Sequence, residues 1–393
     1  MNKIIWPLSS PSWTQEELRR SMIHVLDSGQ LTMGPLVTNF EKEFASMIGT
    51  KYAIMTNSGS SANLLVANAL LYHPQRPIRK YYYSEAIVPA IAWATTYAPF
   101  HQIGMTLQVV DVDPQTLNMD VEQAQKAINN KTKVIVAVNI LGVPAALDQL
   151  RQLADEHNLW LVEDNCESLG SAVGGLNAGT WGDVGTFSFF YTHHLSTIEG
   201  GMVVTNNREL ADIITCLRAH GWSKNLPFDS HLLLENSSQE FEGEYQFLLP
   251  GFNVRPTEFQ AALGLEQLPR LEKMHNQRYL NAILFEEIFQ DHPHFKPRYM
   301  STDQCVPYGL VLTADTHEHR GQAIEAMHTI DIECRQVTGG CFTRHPSHRR
   351  YNYITKNSLP VANHVHDCGF FVGNHAYDLS EEINLLWETL KDI

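Results

Sequence analysis

Three short segments of this chain carry residue types that can do chemistry. Asn57-Ser58-Gly59-Ser60-Ser61-Ala62-Asn63 stands between a strand-like run at 52–57 and an apolar helical run, NLLVANALLYH. Small residues there let the backbone approach a ligand, and the first N–H groups of a helix attract a phosphate. An ordinary capped helix after a tight turn suits the same residues. Glu163-Asp164-Asn165-Cys166-Glu167 closes the strand-like LWLVEDN of 159–165. A carboxylate beyond the carboxyl end of a strand in an open α/β sheet can pair with a protonated ring nitrogen or hold a metal. It can equally be a helix cap or turn carboxylate. The third segment runs from Ser188 through Thr192, His193 and His194 to Glu199-Gly200-Gly201. It follows a buried aromatic strand and precedes a Gly-Gly turn, so the histidines fall on a loop at the sheet edge. Imidazole there can act as acid and base near neutral pH. Zinc is the rival use of such a pair, but adjacent histidines do not readily face one ion, and no HExxH helix accompanies them. No metal is expected.

The elements that must position these segments alternate. Strand-like runs recur at 107–113, 133–140, 159–165, 186–191 and 201–206, and 81–100 reads as a buried strand followed by a turn and helix. Helical patterns lie between several of them, as at 146–158, and an amphipathic segment lies near 15–28. This alternation indicates βαβ units and a mainly parallel sheet, an α/β fold. Residues 225–249 are polar and acidic and read as a long excursion, and 265–290 as one long connecting helix. Residues 300–393 are expected to form a smaller C-terminal α/β domain. The division falls near 270, giving a large domain 1–270 and a small one 271–393.

Composition narrows the function classes. The 393 residues include 28 basic and 43 acidic side chains, a net charge of −15, with 44% hydrophobic residues. That is a globular chain long enough for two domains. The acidic balance argues against a nucleic-acid binder and against a polybasic membrane-surface protein. The first residues lack the apolar core of a secretory signal. The six cysteines are scattered without a CxxC pair, which fits reduced thiols and a cytoplasmic location.

Taken in order, the small-residue turn, the strand-end Asp164 and the Ser-x₄-His-x₅-Glu-Gly-Gly run resemble the DegT/DnrJ/EryC1/StrS family of fold-type I pyridoxal-phosphate enzymes. These are aminotransferases and dehydratases of nucleotide-linked keto sugars. The resemblance extends from TMGPLVTNFEKEFA through VPAIAWATTYAP, VNILGVPAALDQL and LPGFNVRPTEFQAALGLEQL to CGFFVGNH. It implies an aminotransferase-like large domain with a mainly parallel seven-stranded sheet. In the family's aminotransferases a lysine at the position of His193 forms a Schiff base with the cofactor. The histidine, together with YTHHLSTIEGG, RAHGWSKNLP and LPGFNVRP, is similar to the branch of 3-dehydratases acting on GDP-4-keto-6-deoxymannose.

A lysine beside the cofactor recaptures it, because an intramolecular amine has a very large effective concentration. Histidine forms no stable imine, so the cofactor can remain pyridoxamine phosphate and condense with the sugar's C4 ketone. The resemblance implies that His193 removes the C4′ proton and protonates the departing C3 hydroxyl, and an ordinary imidazole pKa of about 6.5 suits both steps. It implies that Asp164 keeps the ring nitrogen protonated, Glu167 contacts the O3′ side and Trp93 stacks on the ring. Gly59, Ser60 and Ser188 are expected to bind the cofactor phosphate. Asn253 is expected to reach the phosphate of the other subunit's cofactor, which makes a homodimer the working unit. L-glutamate is expected to restore the amine form. His220 is a second candidate for proton handling or substrate binding, or else a helix cap. His194 is expected to be structural, and Lys224 does not match the spacing of the Schiff-base lysine. Arg335, Arg255 and Arg218 are candidate diphosphate contacts. Related dehydratases of CDP-linked sugars use an iron–sulfur cluster and a partner reductase, but the scattered cysteines do not supply that ligand pattern. The rival readings are an aminotransferase with another base and a non-enzymatic regulatory paralogue that lost its lysine.

Overall fold

The computed structural model describes residues 6–78, 84–233, 245–298 and 305–393. In chain order its strands are β1 (Tyr52–Thr56), β2 (Glu85–Pro89), β3 (Thr106–Val110), β4 (Thr132–Val138), β5 (Trp160–Asp164), the short pair β6 (Ala172–Val173) and β7 (Leu176–Asn177), β8 (Val184–Ser188), β9 (Gly201–Thr205), β10 (Phe295–Pro297), β11 (Gly309–Ala314), β12 (Cys334–Arg335), β13 (Tyr353–Ile354) and β14 (Gly369–Gly373).

The large sheet has the order β1-β9-β8-β5-β4-β2-β3-β13. All its neighbours are parallel except at β9, which runs against both β1 and β8. Seven of these strands span five to seven residues, and the two-residue β13 adds an eighth at the edge. Val is the commonest residue of these strands, and β2, β3, β5 and β9 are buried along their whole length. Burial along the whole strand is what a parallel sheet covered on both faces requires. One core cluster packs the helix Gly59–Tyr72 and the helix Arg208–Arg218 against the sheet, and another packs the helix Leu147–Glu156.

A second, antiparallel sheet, β10-β11-β14-β12, lies wholly beyond residue 290. Its core includes Phe285, Phe289, Phe370 and Leu386. Trp6 joins this core from the other end of the chain, with its indole N–H donating to the Gly373 carbonyl at 2.8 Å. The two-residue β13 crosses back to extend the large sheet beside β3.

Several local expectations are refined. The 265–290 segment is not one helix: Glu258–Gln267 ends before Pro269, a tight turn covers Leu268–Arg270, and Leu271–Phe289 then begins. A proline ring clashes with the preceding helical turn and lacks the N–H that would continue it. The strand at 107–113 stops at Val110, where the Asp111 carboxylate turns to accept the Val361 and Ala362 amides. Residues 234–244 of the expected excursion, and the start of the 81–100 and 300–393 segments, lie outside the described residues. Among the described residues no helix is long and apolar enough to cross a membrane.

Candidate active site

The carboxyl ends of β2, β4, β5 and β8 open onto one cavity of about 650 Å³, closed on its other side by Tyr308, Arg335, Thr338 and Phe371. This is the edge of a parallel sheet where the loops leave room for a ligand.

Asp164 ends β5 and is buried. Its Oδ2 accepts from Asn63 Nδ2 at 2.8 Å and from the Thr96 hydroxyl at 2.6 Å, and its Oδ1 accepts from the Cys166 amide at 3.2 Å. All three of these donors are uncharged groups. Strand alternation sends Glu163 to the opposite face, where it accepts from the Gly179 and Gly182 amides at 2.7 and 2.5 Å. Glu167 follows on the loop, and the Leu141 amide donates to it at 3.0 Å. Burial, with the nearby Asp164 charge adding to it, pushes its carboxyl up to about 7.

Gly59 opens the helix Gly59–Tyr72, capped by Ser58, whose hydroxyl accepts from the Ser61 amide at 3.1 Å. The Ser58 carbonyl takes the Ala62 amide. The amides of Gly59 and Ser60 therefore stand at the helix end with no intrahelical acceptor. A Cβ on Gly59 would lie 2.5 Å from Ser188 Cβ and 2.8 Å from Cys166 Sγ, so only glycine fits. Ser60 is exposed to the cavity and shares a 2.8 Å hydrogen bond with Thr95. Ser188 completes this corner from the end of β8.

His193 lines the cavity beyond that strand. Its Nδ1 is 3.1 Å from the Ser188 carbonyl oxygen. A carbonyl can only accept, so Nδ1 carries the proton and Nε2 keeps its lone pair. The ring lies edge-on to Tyr308 at 5.4 Å and to Phe190 at 6.0 Å between centroids. The Tyr308 hydroxyl is fixed by Thr192 at 2.5 Å. Burial pulls the His193 imidazole down to about 4. That lies below the ordinary imidazole value expected from the sequence and favours the neutral ring. His194 points away, buried, with its Nε2 donating to the Val306 carbonyl at 2.8 Å.

Trp93 caps the helix Ala94–Gln102 and is 57% exposed, leaving an indole face bare at the cavity wall. Among the described residues lining the cavity there is no lysine. Lys224 instead lies over the Trp222 ring at 4.9 Å. The set fits a planar, cationic heteroaromatic ring bearing a phosphate: a bare indole face, a carboxylate held by uncharged donors, and helix N-terminal amides with serine hydroxyls beside them.

Two expected residues are not in this cavity. Asn253 is exposed, holds Arg255 through a 3.1 Å hydrogen bond, and forms an isolated β-bridge with Ala219. His220, next to that bridge, is exposed at φ 65°, with its amide donating to the Phe252 carbonyl. Of the arginines, Arg335 stands at the cavity and Arg255 does not. Arg218 is buried and committed to Glu41 at 2.5 Å and to the Met55 carbonyl at 2.8 Å, so it is a structural residue and not a ligand contact. Sequence reading missed Tyr308, Thr338, Asn63 and Thr96. Only the last two lay in quoted motifs, and nothing local marks them as supports of Asp164.

The chain is 39% identical to a GDP-4-keto-6-deoxy-D-mannose 3-dehydratase of Yersinia pseudotuberculosis, covering 100% of both. Among solved structures, an Escherichia coli GDP-4-keto-6-deoxy-D-mannose-3-dehydratase with bound hydrated PLP matches with TM-score 0.95 and 39% identity, covering 99% of this chain and 100% of that one. A GDP-4-keto-6-deoxymannose-3-dehydratase with a trapped PLP-glutamate geminal diamine matches with TM-score 0.94 and 39% identity, covering 98% of this chain and 100% of that one. Residues 13–383 match the family model, and the chain belongs to the DegT/DnrJ/EryC1/StrS aminotransferase family.

Proposed function

We propose that this protein removes water from C3 of GDP-4-keto-6-deoxymannose, using pyridoxamine phosphate as cofactor and L-glutamate as amino donor. The observation that carries the reading is the base of the cavity, where His193 stands and no lysine is present among the described lining residues. The names of the full-length relatives support the sugar and its nucleotide, and the PLP-glutamate adduct of one of them supports the donor.

When bound, pyridoxamine phosphate supplies the amine that joins the C4 carbonyl and a protonated pyridine that takes up the electron pair left at C4′. Asp164, held by three neutral donors, keeps that ring nitrogen protonated. Gly59 and Ser60 amides and the Ser188 hydroxyl bind the phosphate, Trp93 offers its indole face to the ring, and Glu167 meets the O3′ side. His193 has no primary amine, so it cannot hold the cofactor covalently. Its Nε2 lone pair, set by the Ser188 carbonyl on the other nitrogen, takes the C4′ proton. The imidazolium so formed delivers the proton to the C3 hydroxyl as it leaves as water. Over the whole reaction the cofactor's amine would supply the two electrons that replace the C3 oxygen by hydrogen, ending as an aldehyde with its nitrogen released as ammonia beside the 4-keto-3,6-dideoxy sugar. Glutamate would restore the amine, ending as 2-oxoglutarate.

Asn253 and His220 lie together on the surface outside their own chain's cavity. In this reading Asn253 serves the cofactor phosphate of the partner's site, and a homodimer is the working unit. A cytoplasmic location accords with the scattered free thiols.

The test is incubation with pyridoxamine phosphate, glutamate and GDP-4-keto-6-deoxymannose, following 2-oxoglutarate, ammonia and the mass of the sugar. Loss of water with ammonia release is expected. A stable amino sugar, or no turnover, overturns the reading.

A further inference from the structure

Away from the active cavity, three ligand-type side chains from three elements converge on one point. His294 stands in the turn before β10, Asp315 follows β11, and His319 sits in the first turn of the helix His317–Thr329. His294 Nδ1 is 2.9 Å from one Asp315 oxygen, and His319 Nδ1 is 2.5 Å from the other. The imidazole centroids are 4.2 Å apart. One ligand atom from each residue lies within 4.8 Å of the other two. None of the three lines the active cavity.

The backbone, and not only the side chains, brings them together. β10 and β11 pair Phe295 with Ala314, and the Asp315 amide donates to the His294 carbonyl at 3.0 Å. Thr316 caps the following helix by accepting from the His319 amide at 3.1 Å. The neighbouring His292 is committed elsewhere, accepting from the His294 and Phe295 amides at 3.2 Å each. Lys296 is engaged with the His292 carbonyl at 2.7 Å.

We infer that His294, Asp315 and His319 form a site for a transition-metal dication of the zinc class. Two imidazoles and one carboxylate suit Zn²⁺ and its neighbours, whereas Mg²⁺ and Ca²⁺ prefer all-oxygen sets. Bonds of about 2.0–2.2 Å at tetrahedral angles place ligand atoms roughly 3.3 Å apart. To admit the ion the hydrogen-bonded contacts of 2.9 and 2.5 Å lengthen, and ligand atoms now up to 4.8 Å apart close by as much as roughly 1.5 Å. Each Nδ1–H shifts to its Nε2 tautomer, which leaves the histidines neutral and the carboxylate charged. The side chains are 37%, 47% and 23% exposed for His294, Asp315 and His319, so water can complete the coordination. The ion ties the β10–β11 pair to the start of the next helix, a structural role separate from the dehydration chemistry.

The test uses the full-length protein, stripped with a chelator and titrated with Co²⁺. Visible d–d bands of a low-symmetry tetrahedral site are expected, saturating at one equivalent and bleached by Zn²⁺. The double variant His294→Ala/His319→Ala, and separately Asp315→Asn, should weaken Co²⁺ binding at least about tenfold. His317→Ala, on the same helix but outside the cluster, should retain it. Zn²⁺ should raise the Tm of the parent and not of the double variant. If the metal-free double variant melts early, Asp315→Asn carries the comparison. Parental stoichiometry and affinity in Asp315→Asn and the double variant, or no band in the parent, overturns the site.

Discussion

The carbonyl oxygen of Ser188 sits 3.1 Å from Nδ1 of His193 and fixes which imidazole nitrogen is free. One residue proposed to bind phosphate with its side chain thus also orients the proposed base with its backbone. The hydrogen bond spans five positions of one loop, so the end of β8 and the base move as a unit.

Replacing His193 by Asn should lower dehydration by about 10²–10⁴-fold, the usual contribution of a positioned base, while cofactor still binds. Replacing it by Lys should instead create a covalent lysine adduct with its own visible absorbance and suppress water loss. Absorbance spectra and single-turnover rates check both. Dehydration by the Lys variant at the parental rate would remove His193 from the mechanism.

Asp164→Asn keeps an oxygen for the Asn63 and Thr96 donors but removes the charge. The fold should persist, with the cofactor's ring nitrogen no longer held protonated. We expect at least a hundredfold loss in turnover, about 2.7 kcal/mol of transition-state stabilisation. Stopped-flow turnover beside an unchanged melting curve is the check.

Gly59→Ala forces a methyl to within 2.5 Å of Ser188 Cβ at the helix end. Overpacking of this kind costs roughly 1–3 kcal/mol. Because the crowding lies at the proposed phosphate corner, cofactor affinity should fall by about tenfold or more. Equilibrium dialysis against pyridoxamine phosphate measures it.

Glu167 and His193 act oppositely on the stability of the cofactor-free protein. Glu167 rises from 4.5 to about 7 on folding, so the folded state holds its proton longer and stability is lost as pH climbs through that window. His193 falls from 6.5 to about 4, so stability is gained as pH climbs from 4 to 6.5. Glu167→Gln deletes the first effect alone. Its urea midpoint should gain on that of the parent between pH 4.5 and 7 and stay offset above. A constant offset across that range would show that Glu167 is not so perturbed.

If Asn253 serves the partner's site, two inactive variants should rescue each other. Mixed His193→Asn and Asn253→Ala subunits form hybrid dimers with one fully intact site. Random pairing makes about half the dimers hybrids, giving about a quarter of parental activity per subunit. No recovery after subunit exchange would place Asn253 in its own chain's machinery.

Much of the site is written in short contiguous runs. The small residues from Ser58 to Ser61, the strand-end Asp164 and the loop of His193 are local signals, because a helix start, a strand end and a tight turn are decided by neighbours in sequence. The supports of those residues are not local. Asn63 reaches Asp164 across 101 positions, and Thr192 meets Tyr308 across 116. Neither partner carries a pattern that marks the contact.

The sequence by itself determined the alternation of strands and helices, the acidic balance, and the family through motifs that extend over most of the chain. Apolar periodicity and turn chemistry act over a few residues and survive in any reading of the letters. Only the tertiary structure decided how the charges of the site behave. An imidazole of ordinary basicity in sequence shifts to near 4, and a plain glutamate to near 7, once the fold packs apolar neighbours around each. It alone buried Arg218 against Glu41, set Arg335 in the cavity wall, and gathered His294, Asp315 and His319. Desolvation and long-range contact depend on what packs around a group, and no window of sequence contains that information.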